Sequence, residues 1–196
     1  VEIPMERVPG IQKAIITKCH LAGKVSIVAT EMMSSMEEDI IPTRAEVSDV
    51  ANAVLDGTDA VMLSGETTTG MYPVETVKMM NKIIENAELD VDYLGFMDRA
   101  MRTEAKDITG MLAHSVAYNS AVLDCKAIFA PTISGYTARK ISRFRPRCTI
   151  IAATPDPEAA RALALNFGVQ AVLIGELKMR IAFAGNPNSG KTTMYN

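Results

Sequence analysis

Residues 42–67 read PTRAEVSDVANAVLDGTDAVMLSGET, and this stretch decides the fold. From Thr43 onward Ala51, Val54 and Leu55 form an apolar set at helical spacing, and Gly57 supplies a stop. The next residues, DAVML at 59–63, make a short apolar run of strand length. A helix leading straight into a strand is half of a repeating α/β unit. Immediately after the strand come Ser64 and Glu66. In parallel α/β architecture that carboxyl edge is where loops and helix N-termini converge, and where ligands bind.

The same alternation extends in both directions. Upstream, Ile11, Ile15, Ile16 and Cys19 recur at helical spacing, Gly23 ends that helix, and KVSIVAT at 24–30 is a β-branched strand ending at Thr30. Downstream, Pro73 suits the first turn of a third helix, with Val77, Met80 and Ile84 on one face. Between Glu88 and Asp107 the chain is charged and loses a clear period, which reads as a bridge between two domains. A second series then begins: helix 108–123, strand AIFAP (127–131), helix 137–144, strand TIIAA (149–153), helix 157–167, strand QAVLI (170–174) and strand RIAFA (180–184). Two parallel sheets covered by helices are expected, in separate units. No long repeat or low-complexity tract is visible.

Composition excludes several classes. The chain has 196 residues, 48% hydrophobic, and 20 basic against 23 acidic residues give a net charge of -3. Such a balance offers neither nucleic acid nor an anionic membrane a footing. No apolar run reaches the length of a membrane span and VEIPMERVPG lacks the features of a signal peptide, so a cytoplasmic protein is expected. Cys19, Cys125 and Cys148 are widely spaced, without CxxC or a neighbouring His, and are read as buried small hydrophobes. The Met-rich pattern, including Met32, Met33, Met79 and Met80, suits core gaps, and MEEDI at 36–40 reads as a solvated loop. His20 and His114 fall on helices without a ligand partner nearby, which favours packing or exposure over catalysis.

Three more strand ends carry polar groups. Thr30 ends the first strand, and TISGYTARK (132–140) follows the third with Thr132, Ser134 and Thr137 as hydroxyls and Gly135 permitting a tight turn. With the amides of the next helix these describe a phosphate-sized anion site; an N-cap with an ST-turn accounts for the same spacing, and both readings stand. At the far end Gly185 to Thr192 fits GxxxxGK[ST] after an apolar strand. In that motif Gly185, Asn188 and Gly190 shape a loop whose amides cradle phosphates, Lys191 reaches the terminal ones, and Thr192 ligates Mg2+.

Several motifs in order, ATEMMSSM (29–36), the opening 42–67 stretch, YPVETV (72–77) and SGYTARKISRFRP (134–146), resemble pyruvate kinase from Val1 to about Gly175. The resemblance implies a partial (β/α)8 barrel, its last βα units, over residues 1–88, a linker at 89–107 and a partial three-layer α/β C-terminal domain with a parallel sheet at 108–176. It implies phosphoryl transfer from phosphoenolpyruvate to ADP, giving pyruvate and ATP, with Mg2+ and K+ as cofactors, in a homotetramer. By the same resemblance Thr30 contacts the substrate carboxylate and serves proton delivery, Ser64 and Glu66 support that pocket, and Arg44 and Asp49 fall near the active site and a subunit contact. Glu31 stands where the family usually has glutamine, and its charge opposes an anionic substrate unless paired or protonated. The loop of Thr132, Ser134, Gly135 and Thr137 matches the family's site for a sugar-phosphate activator. The family's metal-binding aspartate, phosphoryl-site lysine and glutamate and K+ ligands correspond to sequence upstream of Val1, so no metal ligand is expected here and these residues alone are expected to be inactive. The tail from Met179 resembles the start of a GTPase domain of the ferrous iron transport protein B type, without the later strands such a domain needs; a non-functional stub is the favoured reading. A P-loop protein on a borrowed scaffold and a non-catalytic sugar-phosphate-binding or subunit-assembly module are the competing functions.

Overall fold

The computed structural model describes residues 3–103 and 107–175; RIAFA and the candidate nucleotide residues Gly185, Asn188, Gly190, Lys191 and Thr192 lie outside them. A 3-10 turn, Met5–Arg7, runs into helix α1, Val8–Leu21, with Pro9 in its first turn. Strand β1, Ile27–Ala29, follows. A 3-10 turn at Ser34–Glu37 leads to α2, Arg44–Leu55, and then to β2, Ala60–Met62, which pairs in parallel with β1 in the register Ile27↔Ala60 and Ala29↔Met62. Two helices complete the first unit: α3, Gly65–Thr68, and α4, Pro73–Ala87.

The stretch read as a bridge holds a helix. After a 3-10 turn at Glu88–Asp90 comes α5, Tyr93–Thr103, whose Phe96, Met97 and Ala100 are buried. Its start is marked by Asp92, whose carboxylate accepts the Gly95 amide at 2.9 Å. The second unit is α6, Ile108–Val122, β3, Ala127–Pro131, α7, Tyr136–Ser142, β4, Thr149–Thr154, α8, Pro157–Leu163, and β5, Val169–Leu173. Its three strands are parallel in the order β3-β4-β5, so α7 and α8 are crossovers.

Each unit has its own core. Met32, Met33, Met36, Val50, Ala53, Met80 and Ile83 form the first, so the methionines do fill core gaps. Met36 is fully buried and Glu37 half-buried, and MEEDI is therefore not simply a solvated loop. The second core joins Met97, Ala113, Ala117, Ile128, Phe144, Ile150 and Leu163. Two helix faces differ from the expected ones. On α2 Val50 and Ala53 are buried while Leu55 is 41% exposed, and on α4 Thr76, Met80 and Ile83 are inside while Val77 is 52% exposed. Apolar residues on both helices cover a wider arc than the α2–α4 seam occupies, and the seam takes a neighbouring stripe. The three cysteines are free and half-buried rather than buried.

A polar seam joins the units. Arg145 Nη2 donates to the Gly57 carbonyl at 2.8 Å, and Nη1 lies 3.1 Å from Asp59 Oδ1. Asp59 also accepts the amides of Ser26 at 3.0 Å and Phe167 at 3.3 Å. His20 Nε2 lies 2.6 Å from the Arg143 carbonyl. A carbonyl only accepts, so Nε2 carries the proton. His20 is thus a packed, bonded histidine, edge-on to Phe96. Gly57 is where the seam is tightest: its φ is +85°, and a Cβ there would fall 2.6 Å from the Phe96 ring.

Candidate functional site

The sheet β1-β2 presents its carboxyl edge through two loops. Leaving β1, Thr30 and Glu31 have φ of 72° and 52°. Two successive non-glycine residues in the left-handed region cost on the order of 1–2 kcal/mol each. The strained corner turns Met32 and Met33 into the core and leaves Thr30 and Glu31 exposed. Since Ala29 is paired with Met62, the Thr30 and Ser64 ends emerge side by side.

Glu66 holds the two loops together. Its side chain is 1% exposed, Oε1 accepts the Met33 amide at 3.0 Å and Oε2 accepts the Ser64 amide at 2.6 Å. Burial is the largest influence on this carboxyl and opposes its charge. The amides of Ser64, Glu66 and Met33 together outweigh burial, and Glu66 lies below the usual glutamate value. A second carboxylate repeats the device one layer out. Glu46 accepts the Ser35 amide at 2.7 Å and hydroxyl at 2.5 Å, and the Thr43 amide at 2.7 Å and hydroxyl at 2.8 Å. Burial again works against it and these bonds again prevail, lowering its pKa. The Glu46 amide donates back to Thr43 Oγ1 at 3.3 Å, which closes a capping box on α2. Glu46 escaped the sequence reading, although Thr-x-x-Glu ahead of an apolar helix was a usable signal. Gly65 escaped it as well: a Cβ there would meet the Glu37 carboxylate at 2.0 Å.

The loop of Thr132, Ser134, Gly135 and Thr137 leaves β3, in the other sheet. Thr132 is buried and its amide donates to the Ala153 carbonyl at 3.0 Å, tying the loop to β4. Gly135, with φ of +79°, stands at the N-cap of α7, and no side chain caps that helix. Ser134 and Thr137 are exposed, so neither hydroxyl is spent as the N-cap. Arg139 Nη2 donates to the Ser134 carbonyl at 3.0 Å. The strand-end residues therefore form two groups, Thr30, Ser64 and Glu66 on one sheet and the 132–137 loop on the other.

Among the described residues no group of three or more His, Cys, Asp or Glu is placed to hold a metal. Both oxygens of Glu66 are already occupied by amides. No described helix is long and apolar enough to cross a membrane.

Comparison with known proteins agrees with this geometry. The family described as pyruvate kinase, barrel domain, matches residues 1–77, and pyruvate kinase, alpha/beta domain, matches residues 111–189. The second match extends past Met179, into residues expected from the sequence to begin a GTPase domain. Pyruvate kinase of Sporosarcina psychrophila is 46% identical over 173 residues, 88% of this chain and 30% of that protein. That of Clostridium acetobutylicum is 45% identical over 88% of this chain and 37% of its own length. The chain thus spans about a third of the relatives it matches. A crystal structure of pyruvate kinase from Cryptosporidium parvum superimposes with a TM-score of 0.85 at 42% identity, covering 88% of this chain and 35% of that one. The Cryptosporidium enzyme in complex with ADP gives 0.86 at 41%, covering 89% and 35%. Two successive domains of one family, matched in order over most of its residues, place this chain in the pyruvate kinase family.

Proposed function

We propose that the chain serves as part of a pyruvate kinase, an enzyme that moves a phosphoryl group from phosphoenolpyruvate to ADP and yields pyruvate and ATP. The observation that carries this reading is the Glu66 clamp. A buried carboxylate bonded to the amides of Met33 and Ser64 fixes the two loops whose ends present Thr30 and Ser64. Phosphoryl transfer depends on positioning and charge neutralisation, so a rigid edge is what such chemistry requires of this part of a barrel. In this reading Thr30 offers its hydroxyl to the substrate carboxylate and to a proton path, Ser64 lines the same pocket, and Glu66 is a positioning residue. Mg2+ and K+ supply charge neutralisation in the complete enzyme and are held by other residues. Exposed Glu31 opposes an anionic substrate, and Glu31→Gln should lower its KM. Ser134 and Thr137, with Thr132 and Gly135 shaping the turn, form an effector phosphate site, a sugar phosphate being the ligand class, and the assembly is a homotetramer.

By themselves these 196 residues should not turn over phosphoenolpyruvate and ADP. A chimera tests the reading directly: residues 1–175 replace the matching segment of the Sporosarcina psychrophila enzyme. Turnover is expected in the chimera, with kcat reduced about 100-fold or more by Thr30→Ala. A folded chimera without activity, or one indifferent to Thr30→Ala, would overturn the assignment. Nucleotide binding by the tail is supported only by the motif of Gly185, Asn188, Gly190, Lys191 and Thr192; GTP binding lost on Lys191→Ala would establish it.

A further inference from the structure

Two of the three cysteines flank the point where β3 and β4 begin. Ala127 pairs with Thr149 in parallel register, and Cys125 stands two residues ahead of that pair while Cys148 stands one ahead. Neighbouring strands lie about 4.8 Å apart and each residue advances about 3.3 Å, so a one-residue offset sets the two Cα atoms about 6 Å apart. A disulfide spans Cα separations of about 4.4–6.8 Å.

The end of α6 decides which way Cys125 faces. Asp124 is left-handed at φ 47°, its amide reaches the Ala121 carbonyl at 3.4 Å, and the Cys125 amide donates to the Ser120 carbonyl at 2.9 Å. This is a Schellman ending, which folds the residue after the left-handed one back onto the last turn of the helix. Cys148 approaches the same turn from the sheet. It precedes fully buried Ile150 by two residues and packs against the second core, as Ala121 does. Both cysteines line one open cleft of about 840 Å³ together with Ser120 and Ala121. Each is free and half-buried, so a small solute in the cleft has access to both. Cys19 lies apart from them, on α1 of the first unit, where it lines a different cleft.

We propose that Cys125 and Cys148 are a peroxide-sensitive thiol pair, joined under oxidation by a reversible disulfide that staples the entry ends of β3 and β4. A peroxide oxidises one thiol to a sulfenic acid and leaves as water; the second thiol attacks that sulfur, forms the S–S bond and displaces a second water. The two electrons removed from the sulfurs reduce the peroxide, and a dithiol reductant reverses the step by exchange. The bond closes a loop through β3, the 132–137 turn and α7, restricts the unfolded chain and thereby favours the folded α/β unit.

The full chain, reduced and shown to be folded by circular dichroism, is treated with stoichiometric hydrogen peroxide, and its remaining thiols are counted in denaturant. Of the three free thiols only that of Cys19 should survive, and peptide mapping should find Cys125 joined to Cys148. The intact mass should fall by about 2 Da, the two hydrogens lost, and dithiothreitol should restore it. Cys125→Ser and Cys148→Ser should each abolish that loss of mass, whereas Cys19→Ser should retain it. A folded wild-type chain that keeps all three thiols, or that gains oxygen on either cysteine of the pair without a cross-link, overturns the proposal. So does a bond that includes Cys19 or joins two chains.

Discussion

At the scale of single residues, two titrating groups make predictions of stated sign. Glu66 has a depressed pKa in the fold, so its contribution is complete above the ordinary glutamate value and is lost as pH falls through the folded one. Glu66→Gln places an NH2 against one of two buried amide donors. It should cost about 1–3 kcal/mol in urea unfolding and flatten the acid limb of the stability curve. His20 is also depressed, chiefly by burial and further by Arg145 and Arg143, while its bond to the Arg143 carbonyl and the charge of Asp59 work the other way. For a base the sign means that the neutral form is the folded one. Its contribution is complete above about pH 6.5 and falls away below that value, through the folded pKa. Urea midpoints measured between about pH 7 and pH 5 should fall, and less steeply in His20→Gln; equal slopes in the two proteins would remove His20 from the account.

At the scale of elements, the caps and tight approaches set the cost of change. Thr43→Ala opens the capping box of α2 and releases Glu46 from one of its anchors, an expected loss of about 1 kcal/mol in chemical denaturation. Gly57→Ala combines a positive φ with a collision against Phe96, and should lower the melting temperature more than Thr43→Ala does. These same features show what was legible beforehand. Helix and strand order was readable because most elements of the two α/β series carry their own apolar run, several of them closed by Gly or Pro; the four-residue α3 is too short to show a period. α5 was readable in principle, with Phe96, Met97 and Ala100 on one helical face and Asp98, Arg99 and Arg102 on the opposite one; the density of charge over 88–107 masked that stripe. The positions of Thr30 and Ser64 followed from the rule that ligands meet strand ends. The part played by Glu66 did not: one carboxylate accepting an amide 33 residues away in sequence leaves no local pattern.

For the whole molecule, the seam is the decisive feature. Asp59→Asn leaves Arg145 buried beside a neutral group, and breaking such a pair costs about 3–5 kcal/mol. Equilibrium unfolding should show the loss, with more of it recovered when Arg145→Met is added than two independent changes would allow. Apolar side chains meanwhile remain outside: Ile108, Leu112, Val122 and Leu123 on and just after α6 are each more than 60% exposed, and Ile15 on α1 and Ile27 in β1 are exposed as well. Association at raised concentration is expected from such surfaces, and light scattering should show it. There remains the helix where a tether was expected. α5 presents Phe96 to Gly57 and His20 of the first unit and Met97 and Ala100 to the core of the second, so neither unit can loosen without disturbing it. It behaves as a shared keystone. Hydrogen exchange at its amides should be among the slowest in the chain, and circular dichroism and exchange should report one common melting event rather than two.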